Sequence, residues 1–171
     1  EAAVALVLRV TDTLDVLLIK RSEIEGDPWS GHMALPGGRR EPADASSKDT
    51  AARETREEVG LDLSNRGLHL GRLSDIVPTN PRLPPMAITP HVFAVGETPA
   101  LTPSPREVQE VHWVPLPRLL EPDTHQTVPI ELGPTTKDFP ALVLEDRVVW
   151  GLTHRILIEF LAVLEPLDGL P

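Results

Sequence analysis

The sequence predicts a mixed α+β fold, an α/β/α sandwich with helices on both faces of a mixed sheet. Three observations carry that expectation. Strand-like apolar segments come first, one helix interrupts them mid-chain, more strands follow, and a second long helix comes near the end. The 19 prolines crowd between Pro78 and Pro90 and again from Pro99 to Pro140, while 49–66 holds none and leaves room for an unbroken helix. Ile156, Leu157, Phe160, Leu161 and Leu164 fall on one stripe at helical spacing.

Each element has its own signal. Residues 2–10 are apolar and rich in β-branched side chains, as a buried strand requires, and 15–20 reads as a second strand. Thr11 to Leu14 suits a hairpin connection between them. Residues 21–33 are polar, with Gly26, Pro28 and Gly31, and read as a loop. Ala34 and Leu35 make a short strand ended by Pro36, Gly37 and Gly38. The clearest helix covers 50–59 and begins near Ser47, with Ser and Asp as N-cap candidates and Gly60 as its C′ residue. Residues 68–73, 86–95 and 108–114 read as strands, and 116–120 as a short helix or turn. Short strands are expected at 128–132 and 141–144, and the second long helix at 151–164.

With 171 residues and no long linker, the chain is expected to form a single domain over 1–171. Zero cysteines exclude a disulfide scaffold, a thiolate metal site and a cysteine nucleophile. That fits a reducing compartment, and with no signal-peptide pattern in view the expected location is cytoplasmic. The longest apolar run, Ala2 to Leu8, is far short of the ~20 residues a membrane span needs. A formal charge of −10 argues against a general nucleic-acid binder. An acidic protein still binds phosphates where metal ions stand between them.

The informative segment runs from Arg53 to Leu61, Arg-Glu-Thr-Arg-Glu-Glu-Val-Gly-Leu. On a helix Glu54 and Glu58 share a face, and Glu57 borders it. Like charges at this spacing repel, and glutamates near a helix C-terminus oppose the macrodipole. A hard divalent cation such as Mg²⁺ or Mn²⁺ between the carboxylates would remove both costs. A solvated acidic face, with Arg53 and Arg56 pairing the glutamates, is the plainer reading. The upstream Gly37-Gly38 turn counts against it, because two glycines let backbone carbonyls approach a ligand closely.

These residues resemble the signature box of the Nudix hydrolases, G-x5-E-x7-R-E-U-x-E-E-x-G-U with U bulky and apolar. Arg53, Glu54, Glu57, Glu58, Gly60 and Leu61 match, and Thr55 replaces an apolar residue. Counted from Gly38, Asp44 stands at the first Glu position, with one residue too many between it and Arg53. The box is similar to that of the coenzyme A diphosphatase branch. Leu17, Leu18, Arg21, Ser22, Gly31 and Pro36-Gly37-Gly38 also match that branch's upstream motif. Ile19 replaces its Thr, Leu35 its Phe, and Asp27 stands where its second Arg belongs.

The resemblance implies a Nudix fold and a Mg²⁺- or Mn²⁺-dependent enzyme. Such an enzyme cleaves the P–O–P bridge of a small nucleotide, coenzyme A or a derivative among them, by attack of water. It implies Glu54, Glu57 and Glu58 as metal ligands, with a carbonyl of Gly37 or Gly38 as a further one. Arg53 would orient a glutamate from behind. The base that deprotonates water is a box glutamate, Glu54 or Glu57, or a loop glutamate, Glu107 or Glu110. Arg21, Arg39 and Arg40 are candidate phosphate contacts. Trp29 is the first choice for an aromatic against the substrate, and the Pro-rich stretch 77–90 for a loop beside it. His91 and His112 lie in strand patterns and are expected to be packed or solvated. Many family members dimerise, so a homodimer stays open. So do two other readings: hydrolysis of other nucleotides (ADP-ribose, nucleotide sugars, dinucleotides, (d)NTPs), and a nucleotide-binding module without catalysis.

Overall fold

The computed structural model describes residues 1–25, 30–78, 86–96, 100–133 and 135–164. Strand β1 (Ala2–Val10) is buried along most of its length and sits centrally, between antiparallel β2 (Leu14–Arg21) and parallel β6 (Ile88–Val95). Short strands β3 (Met33–Ala34) and β4 (Gly37–Arg39) pair with β2 and β1. Strand β5 (Leu68–Arg72) borders β6, and β7 (Val108–Pro115) borders β2, both antiparallel. One parallel pair among antiparallel ones makes the sheet mixed, as expected.

Two helices cover its faces. Helix α1 (Ser47–Val59) contributes Ala51, Ala52 and Val59 to a core with Ala3, Ala5, Val7, Leu17, Ile19 and Phe93. After the four-residue helix α2 (Leu63–Arg66) and α3 (Leu116–Leu120) comes α4 (Gly151–Leu164) on the other face. There Ile156, Leu157, Phe160 and Leu161, the stripe seen in the sequence, pack on Leu6, Leu8, Val16 and Leu18. Alternation along β1 and β2 sends odd residues to α1 and even residues to α4, which is the sandwich the pattern predicts.

The ends of α1 are where the local signals put them. Ser46 is the N-cap, its side chain accepting from the Asp49 N–H. Gly60 at φ 73° closes the helix, its N–H donating to the Arg56 carbonyl. Thr55, in place of a bulky apolar residue, is fully buried and satisfies its hydroxyl on the Ala51 carbonyl at 2.7 Å.

The C-terminal half holds more strand than expected. β8 (His125–Leu132) and β9 (Thr135–Leu144) form a long hairpin, and β10 (Arg147–Trp150) adds a third strand. Residues 135–138 are polar and exposed, so no alternation marked them. Gly37 and Gly38, expected as a turn, pair with Val4 and Ala3. Among the described residues no helix is long and apolar enough to cross a membrane.

Candidate active site

Helix α1 turns its buried side toward β1, and the same side carries Glu58. That carboxylate is 4% exposed, and its Oε2 accepts from the Gly37 N–H at 2.9 Å. Burial pushes its pKa up to about 8. The Gly37 N–H and the Arg21 charge pull it back, while Glu54 and Glu107 push it further up. Burial also raises Glu54, against the pull of Arg53, with Glu57 and Glu107 adding repulsion. Four predicted side chains, Arg21, Glu54, Glu58 and Glu107, thus share one electrostatic neighbourhood.

Pairing of β4 with β1 brings the two glycines under this helix. A Cβ on Gly37 would strike the Ala3 carbonyl and lie 2.6 Å from the Val4 Cα. A Cβ on Gly38 would lie 2.5 Å from Glu54 Oε1. The first clash is with backbone, the second with a movable side chain. Gly37→Ala is therefore expected to cost several kcal/mol, within the range of overpacking and strain. Gly38→Ala is expected to keep the fold, displace the Glu54 carboxylate and lose activity. Thermal melts beside turnover assays separate the two, and equal stability losses in both variants would contradict this account.

Arg53 is the hub. Its Nε and Nη2 make a two-pronged contact with Asp44, to Oδ1 at 3.0 Å and Oδ2 at 3.1 Å. Nη2 also donates to the Arg39 carbonyl at 3.0 Å and lies 3.0 Å from Glu54 Oε1, while Nη1 reaches Glu57 Oε2 at 2.9 Å. Asp44 further accepts from the Glu41 N–H and the Thr50 hydroxyl. The Arg53 guanidinium holds its carboxyl well below the usual range. The shorter Asp and the extra loop residue therefore leave the pairing with Arg53 intact.

The three glutamates lie within two helical turns but do not form a closed shell. Arg53 draws on Glu54 and Glu57, whereas Glu58 turns to Gly37. Among the described residues, no three His, Asp or Glu side chains are gathered closely enough to hold a metal ion. The donor chemistry nonetheless suits a hard cation: three carboxylates beside a strand where a Cβ would collide with one of them.

The two loop glutamates part ways. Residues 100–107 are stitched to the end of α1, with the Thr102 N–H on the Val59 carbonyl and the Ser104 N–H on the Glu58 carbonyl, both at 2.8 Å. This brings Glu107 to the glutamates. Glu110 is opposite Lys20 on β2, and even positions there face α4. It bonds His112, Lys20 and Arg147, which hold its pKa down to about 2, and it stands on the wrong face to serve as base. The register of β7 decided this, and spacing alone does not reveal register.

Arg40 is also reassigned. It pairs with Glu1 and donates to the Asp44 and Ala45 carbonyls, bracing the loop before α1. Arg39 is exposed and lends its carbonyl to Arg53. Trp29 and Asp27 lie outside the described residues, as does 79–85 of the Pro-rich stretch. His91 is buried, as expected of a packed residue, bonding Ser47 and His69. Burial lowers its pKa to about 4. A cleft of about 350 Å³ lies beside Glu107, lined by Ser22, Glu23, Pro105, Val108 and Gln109. Thr102 and Ser104 carry no signal in the sequence, and Ser22, read there only as a motif match, gives no hint of its bonds to the 105–107 loop. The reason is that all three act mainly through backbone groups.

A mixed sheet between two helices, with a glutamate-rich helix against a Gly-Gly strand, defines a Nudix-type domain. The NUDIX domain family model matches residues 1–134, and the chain belongs to the Nudix family. An uncharacterized Schizosaccharomyces pombe protein is 41% identical over 125 residues, 71% of this chain and 38% of that protein. The human mitochondrial coenzyme A diphosphatase NUDT8 is 34% identical over 141 residues, 80% of this chain and 57% of that enzyme. The chain thus spans about half the length of these relatives. The crystal structure of the Mycobacterium smegmatis Nudix hydrolase RenU superposes with a TM-score of 0.64 at 17% identity, covering 99% of this chain and 88% of that one. That likeness supports the fold.

Proposed function

We propose that residues 1–171 form one domain that hydrolyses a P–O–P bridge in a nucleotide with Mg²⁺ or Mn²⁺, coenzyme A or a derivative being the first candidate substrate. The observation that carries this reading is Glu58, an almost fully buried carboxylate beside Glu54 to which, among the described residues, only the Gly37 N–H is bonded. A buried acid without a cationic partner in hydrogen-bond contact is costly, and a divalent ion would offset that cost. Glu54, Glu57 and Glu58 would hold the metal, with the Gly38 carbonyl as a further donor. When bound, the ion supplies charge neutralisation at the phosphates and acidifies a water.

The chain's own residues do the rest. Arg53, anchored on Asp44, aims Glu54 and Glu57. Glu107 is exposed in a loop fixed to α1 and is our assignment for the group that takes the water's proton. Arg21, whose charge is felt at Glu58, would face a phosphate oxygen.

The coenzyme A assignment draws on the upstream residues Leu17, Leu18, Arg21, Ser22 and Gly31 and on the human relative's activity. One observation favours a second substrate class: Asp27 inverts the charge where that branch has Arg. ADP-ribose, nucleotide sugars, dinucleotides and (d)NTPs follow as alternatives. The test is chromatographic product analysis on coenzyme A, ADP-ribose, NADH, a diadenosine polyphosphate, a nucleotide sugar and dNTPs with Mg²⁺ or Mn²⁺. Release of 4′-phosphopantetheine and 3′,5′-ADP from coenzyme A is the expected result. Cleavage of another compound alone would shift the substrate, and no metal-dependent cleavage of any would count against hydrolysis.

A further inference from the structure

Strand β2 leaves the sheet at Arg21, where its register with β7 slips between Lys20 and Arg21. Ser22, the next residue, then makes contacts to a different loop. Its N–H donates to the Glu107 carbonyl at 2.9 Å, and its hydroxyl donates to the Pro105 carbonyl at 3.2 Å. On the other side Ser30 Oγ donates to the Ser22 carbonyl at 3.3 Å and accepts from the Ile24 N–H at 2.6 Å. The path continues inward. The Glu107 N–H donates to the Ser104 carbonyl, and the Ser104 N–H to the Glu58 carbonyl. Peptide groups therefore link Ser22, Glu107, Ser104 and Glu58 in sequence, and the Ser30 hydroxyl joins the path at the Ser22 carbonyl.

The space around this path gives it a use. The cleft of about 350 Å³ lies between Ser22-Glu23 and the Pro105–Gln109 side, and a second, of about 480 Å³, is lined by Glu23, Ile24, Glu25 and Ser30. Residues 22–25 are the wall between them. A group bound in either cleft would touch residues 22–25, the segment that meets Glu107 through Ser22. The chemistry tolerates little error, because a misplacement of about 1 Å can cost roughly a hundredfold in rate.

We infer that Ser22 is a positioning residue that couples the cleft-lining segment 22–25 to Glu107. This rests on Glu107 being the group that takes the water's proton. Ser22 does not touch the reacting atoms; it sets where Glu107 stands.

Ser22→Pro removes both donors and is compatible with the extended strand conformation that Arg21 adopts. Ser22→Ala removes only the hydroxyl, and Ser22→Thr restores one. With Mg²⁺ and coenzyme A, and in parallel ADP-ribose, Ser22→Pro is expected to lower kcat about tenfold or more with KM little changed. Ser22→Ala is expected to lose a smaller factor that Ser22→Thr regains. In a Glu107→Gln background Ser22→Pro should cost nothing further. Hydrogen exchange of the protein alone supplies a readout free of turnover: in Ser22→Pro the amides of 102–108 should exchange faster together with those of 22–25. Unchanged exchange at 102–108 would overturn the coupling. So would an equal loss of kcat with and without Glu107. Wild-type turnover by Glu107→Gln alone would instead remove the base assignment, and this role for Ser22 with it.

Discussion

Glu58→Gln is expected to abolish metal-dependent hydrolysis and, without metal, to make the protein more stable at pH 7 to 8. The two effects have one cause. Glu58 is buried against β1 and beside Glu54, and that burial pushes its carboxyl up from 4.5 to about 8. The folded state prefers the protonated acid. Below the unfolded value no penalty exists; as pH rises from 4.5 through about 8 the unfolded chain ionises first and the fold loses stability. A shift of this size amounts to a few kcal/mol at roughly 1.4 kcal/mol per unit. Gln carries no charge and still offers an oxygen to the Gly37 N–H. The melting temperature of metal-free wild type should therefore fall between pH 5 and 8, and that of Glu58→Gln should fall distinctly less, Glu54 alone remaining raised by burial. Mg²⁺ or Mn²⁺ should raise the wild type and leave the variant nearly unmoved. Turnover should drop by about a hundredfold or more, since even outer partners of a metal site cost 10–100-fold when removed. Parallel pH–stability curves would show that the burial of this carboxylate is not what drives the effect. Wild-type turnover in the variant would remove Glu58 from the proposed metal site.

Why Glu58 was readable and Glu110 was not is a matter of range. The glutamates of α1 are tied to one another by helical geometry, and their spacing alone puts Glu54 and Glu58 together. The Ser46 cap and the Gly60 stop are equally local. Glu110 depends on which β2 residue it meets across the sheet, and Lys20 rather than Ile19 is its partner. A slip of one residue would have sent it to the α1 face. Arg39 and Arg40 illustrate the same limit with charge. Both are phosphate-contact candidates in the sequence; Arg39 stays exposed, whereas Glu1 and two carbonyls claim Arg40, and all three come from distant packing or loop closure. The β8–β9 hairpin was half legible. Its buried roots Ala141, Leu142 and Leu144 carry the apolar signal, and its exposed stretch at 135–138 carries none. Ser22 is legible as a motif residue, but its bonds to Glu107 and Ser30 are not, because on its side they use the peptide N–H and C=O that every residue has.

The departure from the family box at Asp44 leads to the second large effect. Asp44→Ala is expected to cost about 3–5 kcal/mol, the usual range for breaking a buried ion pair from one side. For a chain of this size that is a fall of roughly 10 °C in melting temperature. The side chains of Arg53 and Asp44 are 15% and 4% exposed, so water replaces the lost contacts poorly. The Glu41 N–H and the Thr50 hydroxyl lose their acceptor at the same time. Because Arg53 holds the Asp44 carboxyl well below its ordinary value, the contribution is present above about pH 4 and fades as pH falls through the acid range. Wild type and Asp44→Ala should therefore differ widely at pH 7 and converge under strong acid. Asp44→Asn should lie between them, since it keeps the shape and one acceptor but no charge. Asp44→Glu, the residue the family box uses, should not restore wild-type stability. The loop here is one residue longer, and the added methylene must fit where Thr50, Glu41 and Arg53 already close on the carboxylate. Freed from Asp44, Arg53 has, among the described residues, Glu54, Glu57 and the Arg39 carbonyl left, and a tighter hold on those two carboxylates would also weaken the metal affinity of the folded variant. Denaturant melts of the four proteins at pH 7 and pH 3, with metal titrations at pH 7, check both parts. A loss below 1 kcal/mol for Asp44→Ala, or full rescue by Asp44→Glu, would show that Arg53 is held in place by something other than this pair.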